Sequence, residues 1–457
     1  MVLLLAGVLV QPGHAQTPNH LLIAWNDLGM HCANQDFSQF VVLPPFNNVK
    51  AQLLRREAAG PPTLVTAGVR LEYSIPGNTT SVNKTNFWDF AQEIFNLPTP
   101  LPPNIGLTGN GLTGQLATHS GYFEVTGVPI TPFQDNDLLH EQPYQLIHIE
   151  AFDTSTDEML AFTDAVIPVS NEIGCVSSGC HSSVQEILNE HPREAGFNPN
   201  DTPILCARCH ASPALGTVGI PEAGYLSWRL HEKHKDIRPT NGMSTCYKCH
   251  PGPQAQCLRD VMATNPADPM ICQDCHGNME QVSSSIENGR IPWANEPSCG
   301  SCHGAAFAEE PNTLFRESRG HGGLYCSACH GSPHAILPSR EANDNLQNIR
   351  LQGHAGTLSD CRVCHTRTPN GPGPHGIPAP PASEVVLEIH RQVTGQGLRL
   401  VWNSLADAQE YRIYRLNEAW GNAGLQLVGT TTMTEWILPE PVAGDVREFF
   451  RVTALLP

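Results

Sequence analysis

Apolar and polar positions alternate along Val69-Arg70-Leu71-Glu72-Tyr73-Ser74-Ile75, and this period of two predicts a half-buried strand. Two further runs, residues 144–152 and 159–169, flank the turn-rich Asp153-Thr154-Ser155-Thr156-Asp157 and predict a hairpin. One helix is visible, because Phe87, Phe90, Ala91, Ile94 and Phe95 recur at i, i+3, i+4, i+7 and i+8 and form an apolar stripe, read as core. These signals make residues 16–170 a β-rich N-terminal domain. Strands return after residue 381, in Leu398-Arg399-Leu400-Val401-Trp402, Tyr411-Arg412-Ile413-Tyr414-Arg415 and Phe450-Arg451-Val452-Thr453-Ala454. Roughly seven short strands in this tail, residues 381–457, predict a C-terminal β-sandwich. Residues 171–380 sustain neither period and hold 20 of the 39 prolines. Such a stretch cannot offset its ordering entropy with side-chain burial alone, so something else must fill its core.

The chain opens on an apolar run, residues 2–10, that is too short to span a bilayer and is followed by the small-x-small pattern Gly13-His14-Ala15. This predicts a signal peptide over residues 1–15, export, and an oxidising compartment. No later run reaches spanning length, so no membrane span is expected. Lys and Arg number 26 against 44 Asp and Glu, a net charge of -18, and no basic run occurs. Nucleic acid is therefore excluded as a partner bound by phosphate neutralisation.

The cysteines carry the candidate chemistry. Fifteen of the 16 lie in residues 171–380, and twelve of them form six copies of Cys-x-x-Cys-His. These are Cys206, Cys209, His210; Cys246, Cys249, His250; Cys272, Cys275, His276; Cys299, Cys302, His303; Cys326, Cys329, His330; and Cys361, Cys364, His365. Composition alone would give about 0.03 copies by chance. Two thiols three positions apart reach the two vinyl groups of one haem, and the next histidine meets the iron. Cys175-Val176-Ser177-Ser178-Gly179-Cys180-His181 has a longer loop with the same ending and is read as a seventh site for haem c; a Cys175–Cys180 disulfide is the plainer alternative. Zinc would explain the paired thiols but gives no reason for a histidine after every second cysteine.

Seven other histidines lie in the same section: His191, His231, His234, His321, His334, His354 and His375. That count supplies a second imidazole to every iron. His231 and His234 stand one turn apart on a predicted helix and so would serve two different haems. For any one of them the plain reading is a surface or propionate-bonded histidine. Cys32 and Cys257 remain, as a disulfide joining the first domain to the middle section or as inert thiols. The sharper alternative is a metal or redox site at His31 and Cys32 with His119, His140 or His148.

On these motifs the section from Cys175 to His375 resembles the multihaem c-type cytochromes of extracellular electron transfer. The resemblance implies closely spaced haems that pass electrons along a line, sometimes in polymeric filaments. Residues 21–46, with Asn26-Asp27-Leu28-Gly29-Met30-His31-Cys32 and Leu43-Pro44-Pro45-Phe46, look like the non-haem leader domain of large cytochromes of that group. The tail resembles a fibronectin type III module through Leu400-Val401-Trp402 and the two alternating strands above. The expected fold is thus multidomain: the β-rich leader, a haem-packed cytochrome c domain with short helices and mostly irregular structure, and the sandwich. The expected function is electron transport rather than catalysis, extracellular, at the cell surface or in the periplasm. Expected partners are other cytochromes or an extracellular electron acceptor, with a homo-oligomer or filament as a further form. The enzyme alternative is a multihaem reductase with one open iron acting on a small nitrogen or sulfur oxyanion.

Overall fold

The computed structural model describes residues 19–58, 60–191, 197–237, 242–265, 268–367, 369, 373–376, 387–391, 398–402, 408–416, 426–438 and 449–455. The predicted signal peptide and most of the proline-rich stretch 371–381 lie outside the described residues. The fold combines five β-sheets with short helices and much irregular chain.

Two five-stranded sheets form the N-terminal part. One carries β1 (His20–Asn26) beside β2 (Val49–Arg55), with Tyr122–Val125 and Ala117–His119 beyond it. The other is built on the predicted hairpin, β4 (Tyr144–Asp153) against β5 (Met159–Ser170), with β3 (Val69–Ser74) on its far side. Alternate residues from both sheets share one core, among them Leu22, Ala51, Leu53, Leu71, Ile147, Ile149 and Ile167. That is the period-two pattern turned into packing.

Residues 21–26 of β1 are all buried, because both faces of the strand are covered. Leu22 and Ala24 enter the sheet core. Leu21, Ile23 and Trp25 pack on Leu324, Tyr325, Ala328 and Val363 of the cysteine-rich section. A strand covered on both faces reads as a continuous apolar run instead of an alternation.

Helix α1 (Phe87–Ile94) forms where the stripe predicts it, burying Phe87, Ala91 and Ile94. They pack on Phe37 and Val41 and on Leu205 and Ala207, which flank Cys206. Arg208 donates to the carbonyls of Ile94 (3.2 Å) and Glu93 (3.3 Å), placing a cation at the helix C-terminus.

The cysteine-rich section adds seven short helices: α2 (Val184–Asn189), α3 (Leu226–Lys233), α4 (Cys272–His276), α5 (Met279–Glu287), α6 (Gly300–His303), α7 (Cys326–His330) and α8 (Ala342–Gln352). Backbone contacts divide the chain into two compact units, Met1–Arg367 and Thr368–Pro457. The strand-rich stretch and the cysteine-rich stretch up to Arg367 therefore fall in one unit. The second unit holds two three-stranded antiparallel sheets, one with the order Leu387–Arg391, Leu398–Trp402, Glu435–Ile437 and the other Gln426–Thr431, Glu410–Leu416, Phe449–Leu455. Leu400, Trp402, Tyr411, Ile413 and Val452 from both sheets form its core.

Candidate haem-binding sites

Each Cys-x-x-Cys-His motif folds as a single helical turn. The histidine N–H returns to the carbonyl of the first cysteine in His210 (3.0 Å), His250 (2.9 Å), His303 (2.9 Å) and His365 (2.9 Å), while α4 and α7 contain the whole of their motifs. A helical turn brings side chains three positions apart to the same face, which suits two thiols meant for one ligand. The Cys175–His181 motif closes in the same way despite two extra residues: His181 N–H reaches the Cys175 carbonyl at 3.2 Å. Gly179 (φ 77°) absorbs the added length in the left-handed region.

Among the described residues, five motif histidines are seen facing a histidine from outside the motifs. The ring centroids lie 6.2 Å apart in His181–His234, 6.4 Å in His191–His210, 6.1 Å in His231–His250, 6.1 Å in His276–His334 and 6.1 Å in His321–His365. A metal–imidazole bond of about 2.0 Å, with a ring nitrogen about 1.1 Å from its centroid, puts two rings trans on one metal about 6.2 Å apart. Stacked rings can lie closer, as His119 and Tyr122 do at 4.7 Å, while tilted or edge-on contacts such as His31–Phe46 (6.1 Å) reach the same separation. The spacing leaves room for one metal between each pair, so these residues fit bis-histidine haem.

Second-sphere bonds select the ring nitrogen offered. Nδ1 of His191, His231, His234 and His334 reaches the backbone carbonyls of Ile187 (3.3 Å), Ser227 (2.7 Å), Leu230 (2.7 Å) and Leu28 (3.3 Å), and Nδ1 of His210 that of Ala223 (3.2 Å). A carbonyl only accepts, so Nδ1 carries the proton and Nε2 keeps its lone pair for a metal. Nδ1 of His181 is buried without a partner. Loss of water, then neighbouring imidazoles, hold His250 and His276 below the usual histidine range, which keeps them neutral.

Helix α3 and its C-terminal residue present His231 and His234 to two different motifs, as the one-turn spacing predicts. The remaining predicted residues are placed differently. Among the described residues no ring faces His303, and Nδ1 of His354 lies 2.9 Å from the Ala355 carbonyl. His330 Nδ1 is 3.5 Å from Thr357 Oγ1. His375 lies in a turn of the second unit with φ 58°.

The motifs follow one another closely. Charge on Cys175 would raise both Cys206 and Cys249, and Gly174 N–H donates to the Cys249 carbonyl at 3.3 Å. Cys246 and Cys272 lie close enough to shift each other's thiol, Cys246 downward and Cys272 upward. Cys302 would raise Cys275, Cys326 would raise Cys299, and Cys364 would raise Cys329. Leu358 N–H also bonds the Cys329 carbonyl at 3.0 Å. Counted along the chain from Cys175, these contacts and couplings make the motifs neighbours in the order second, first, third, fourth, fifth, sixth, seventh.

The leader histidines do not assemble with Cys32. His31 Nε2 is 2.7 Å from Asp27, while His119, His140 and His148 hold Glu124, Asp137 and Asp164 at 3.8, 3.0 and 2.6 Å. Among the described residues, no three His, Cys, Asp or Glu side chains converge on one point. Cys32 and Cys257 share a desolvated region: loss of water raises both thiols, Cys257 to about 11, and a charge on Cys257 would raise Cys32 further. Both are expected to stay neutral and unreactive, with alkylation at pH 8 at least about a hundredfold slower than in the unfolded chain. Peptide mapping after native and denaturing labelling checks this; fast native labelling would contradict it.

Sequence reasoning missed the carbonyls that orient the rings. Three of them share a local spacing that could have served as a signal, since Ile187, Ser227 and Leu230 stand four residues before His191, His231 and His234. Comparisons with protein families, with curated proteins and with solved structures find no match for this chain.

Proposed function

We propose that the chain is an exported c-type cytochrome with seven haems that passes electrons along a line of bis-histidine sites. One observation carries this reading: five motif histidines each face a non-motif histidine at 6.1–6.4 Å, with no two motif histidines sharing a partner. A zinc ribbon instead gathers four ligands on one ion. When bound, each haem supplies a reversible one-electron change at its iron. The thioether turns fix each site, and paired imidazoles favour lower potentials than a His/Met pair. The motif order makes the sites of His210 and His365 the two ends, where partner cytochromes or an extracellular acceptor would exchange electrons. With a net charge of -18, such encounters are expected to depend on salt. The order of the two sheets in the second unit supports the fibronectin type III-like reading of the tail as an attachment or assembly module.

A second reading has its own observation, the absence of a facing ring at His303 among the described residues. An iron open there would suit a reductase acting on a small oxyanion; another copy of the chain in a filament would be a different source of the sixth ligand. Electron paramagnetic resonance of the ferric protein separates these readings. Conduction alone predicts low-spin signals throughout and no cyanide or nitrite binding. A high-spin signal worth one iron, lost with Cys299→Ser/Cys302→Ser, would favour the reductase.

A further inference from the structure

The orienting carbonyl of His334 comes from far away in the chain. His191, His231 and His234 bond carbonyls four residues back, whereas His334 Nδ1 reaches Leu28 O across 306 residues. One further bond ties the same loop to the same turn directly, and Arg259 bridges the two with another pair. Ser332 Oγ donates to Asn26 O at 2.6 Å, Arg259 Nη1 donates to Gly29 O at 2.6 Å, and Arg259 N–H donates to His334 O at 2.9 Å.

The turn is shaped for this contact. Asn26 Oδ1 accepts from Leu28 N–H (3.1 Å) and Gly29 N–H (2.8 Å), closing residues 26–29 on themselves. Gly29 has φ 78°, and a Cβ there would lie 1.8 Å from Pro333 O. No side chain fits between the turn and the residue before His334. His334 itself is held at φ 62°, a left-handed conformation that costs a non-glycine residue energy and persists only where its surroundings impose it.

We infer that the leader turn at residues 26–30 is a positioning element for the distal ligand of the fourth haem, so that the leader domain sets ligation in the middle of the line. The inference rests on the reading of His276 and His334 as a bis-histidine pair. It gives the motif Asn26-Asp27-Leu28-Gly29 a role that its sequence did not disclose. The leader becomes part of the fourth site, since without Leu28 O the His334 ring loses the acceptor that fixes its tautomer and its tilt.

The test uses the full-length holoprotein. Gly29→Ala is expected to convert one iron of the seven predicted from low to high spin in the ferric spectrum, and added imidazole is expected to restore the low-spin signal. Gly77→Ala serves as control, because it imposes the same left-handed strain on the leader (φ 79°) with Gln134 as its nearest neighbour at 3.8 Å, and it is expected to leave every iron unchanged. If Gly29→Ala yields no holoprotein, Ser332→Ala carries the test. Deleting that single hydrogen bond is expected to speed cyanide binding at one iron by up to about tenfold. Unchanged spin state and ligand binding in the folded variants, or the same conversion in Gly77→Ala, would overturn the inference. A wild-type protein without covalently bound haem would instead overturn the reading beneath it.

Discussion

Produced without haem attachment, the chain is expected to lose its fold from Glu172 to Arg367 while the strand core of the leader and the second unit remain intact. The reason lies in where apolar side chains are buried. Between Glu172 and Arg367 the described buried hydrophobic residues are Leu188, Leu205, Ala207, Ala255, Ile286, Leu324, Tyr325, Ala328, Ala335, Leu337 and Val363, four of them alanines. Ordering the backbone costs about 1–2 kcal/mol per residue, and burying a leucine-sized side chain returns about 1.5–3 kcal/mol. So few burials cannot hold nearly two hundred residues. The leader has its own core of twenty-two buried side chains, and the second unit has the Leu400–Trp402–Ile413 cluster. Limited proteolysis of a variant with all fourteen attachment cysteines changed to alanine, read by mass spectrometry, checks this. Cleavage should concentrate between the leader and Arg367; a middle section as resistant as in the holoprotein would contradict the account.

Breaking the Arg259–Asp344 pair is expected to give the largest loss from a single substitution. The two side chains are 1% and 6% exposed, and they meet in a two-pronged bridge of 2.6 and 2.9 Å. The guanidinium also bonds Gly29 O and lies 4.5 Å over the Tyr144 ring, and Ser339 Oγ donates to Asp344 at 2.6 Å. Arg259→Met leaves a buried carboxylate whose strongest partner is gone, and this typically costs about 3–5 kcal/mol. Asp344→Leu strands the guanidinium in the same way. The double variant should recover part of the loss, because no charge is then left unpaired. Denaturant melts of the three holoproteins measure it. A double variant no better than the sum of the singles would show that the Gly29 and Tyr144 contacts, not the ion pair, dominate.

The sequence disclosed what depends on local periodicity. The strand at Val69, the hairpin around Asp153-Thr154-Ser155-Thr156-Asp157 and the stripe of α1 all appear because one face of each packs on a core. The motifs themselves were legible because their spacing is local, although the helical turn that each adopts was not predicted. What was not legible is set by long-range packing. β1 gave no alternation because Leu324 and Tyr325 cover its outer face. His321 pairs with His365 and not with the motif that starts five residues after it, and His276 pairs with His334 beyond two intervening motifs. Those choices follow from the course of irregular chain, where left-handed residues such as His334 and Asn312 redirect the backbone without a periodic signature.

The intact mass of the purified, denatured protein tests the central claim most directly. Thioether attachment adds the whole haem to the chain and survives unfolding, so the account predicts the mass of the mature polypeptide plus seven haems. Six haems would turn Cys175 and Cys180 into a disulfide or free thiols and leave His181 and His234 without an iron. A polypeptide without added haem mass would contradict the account altogether.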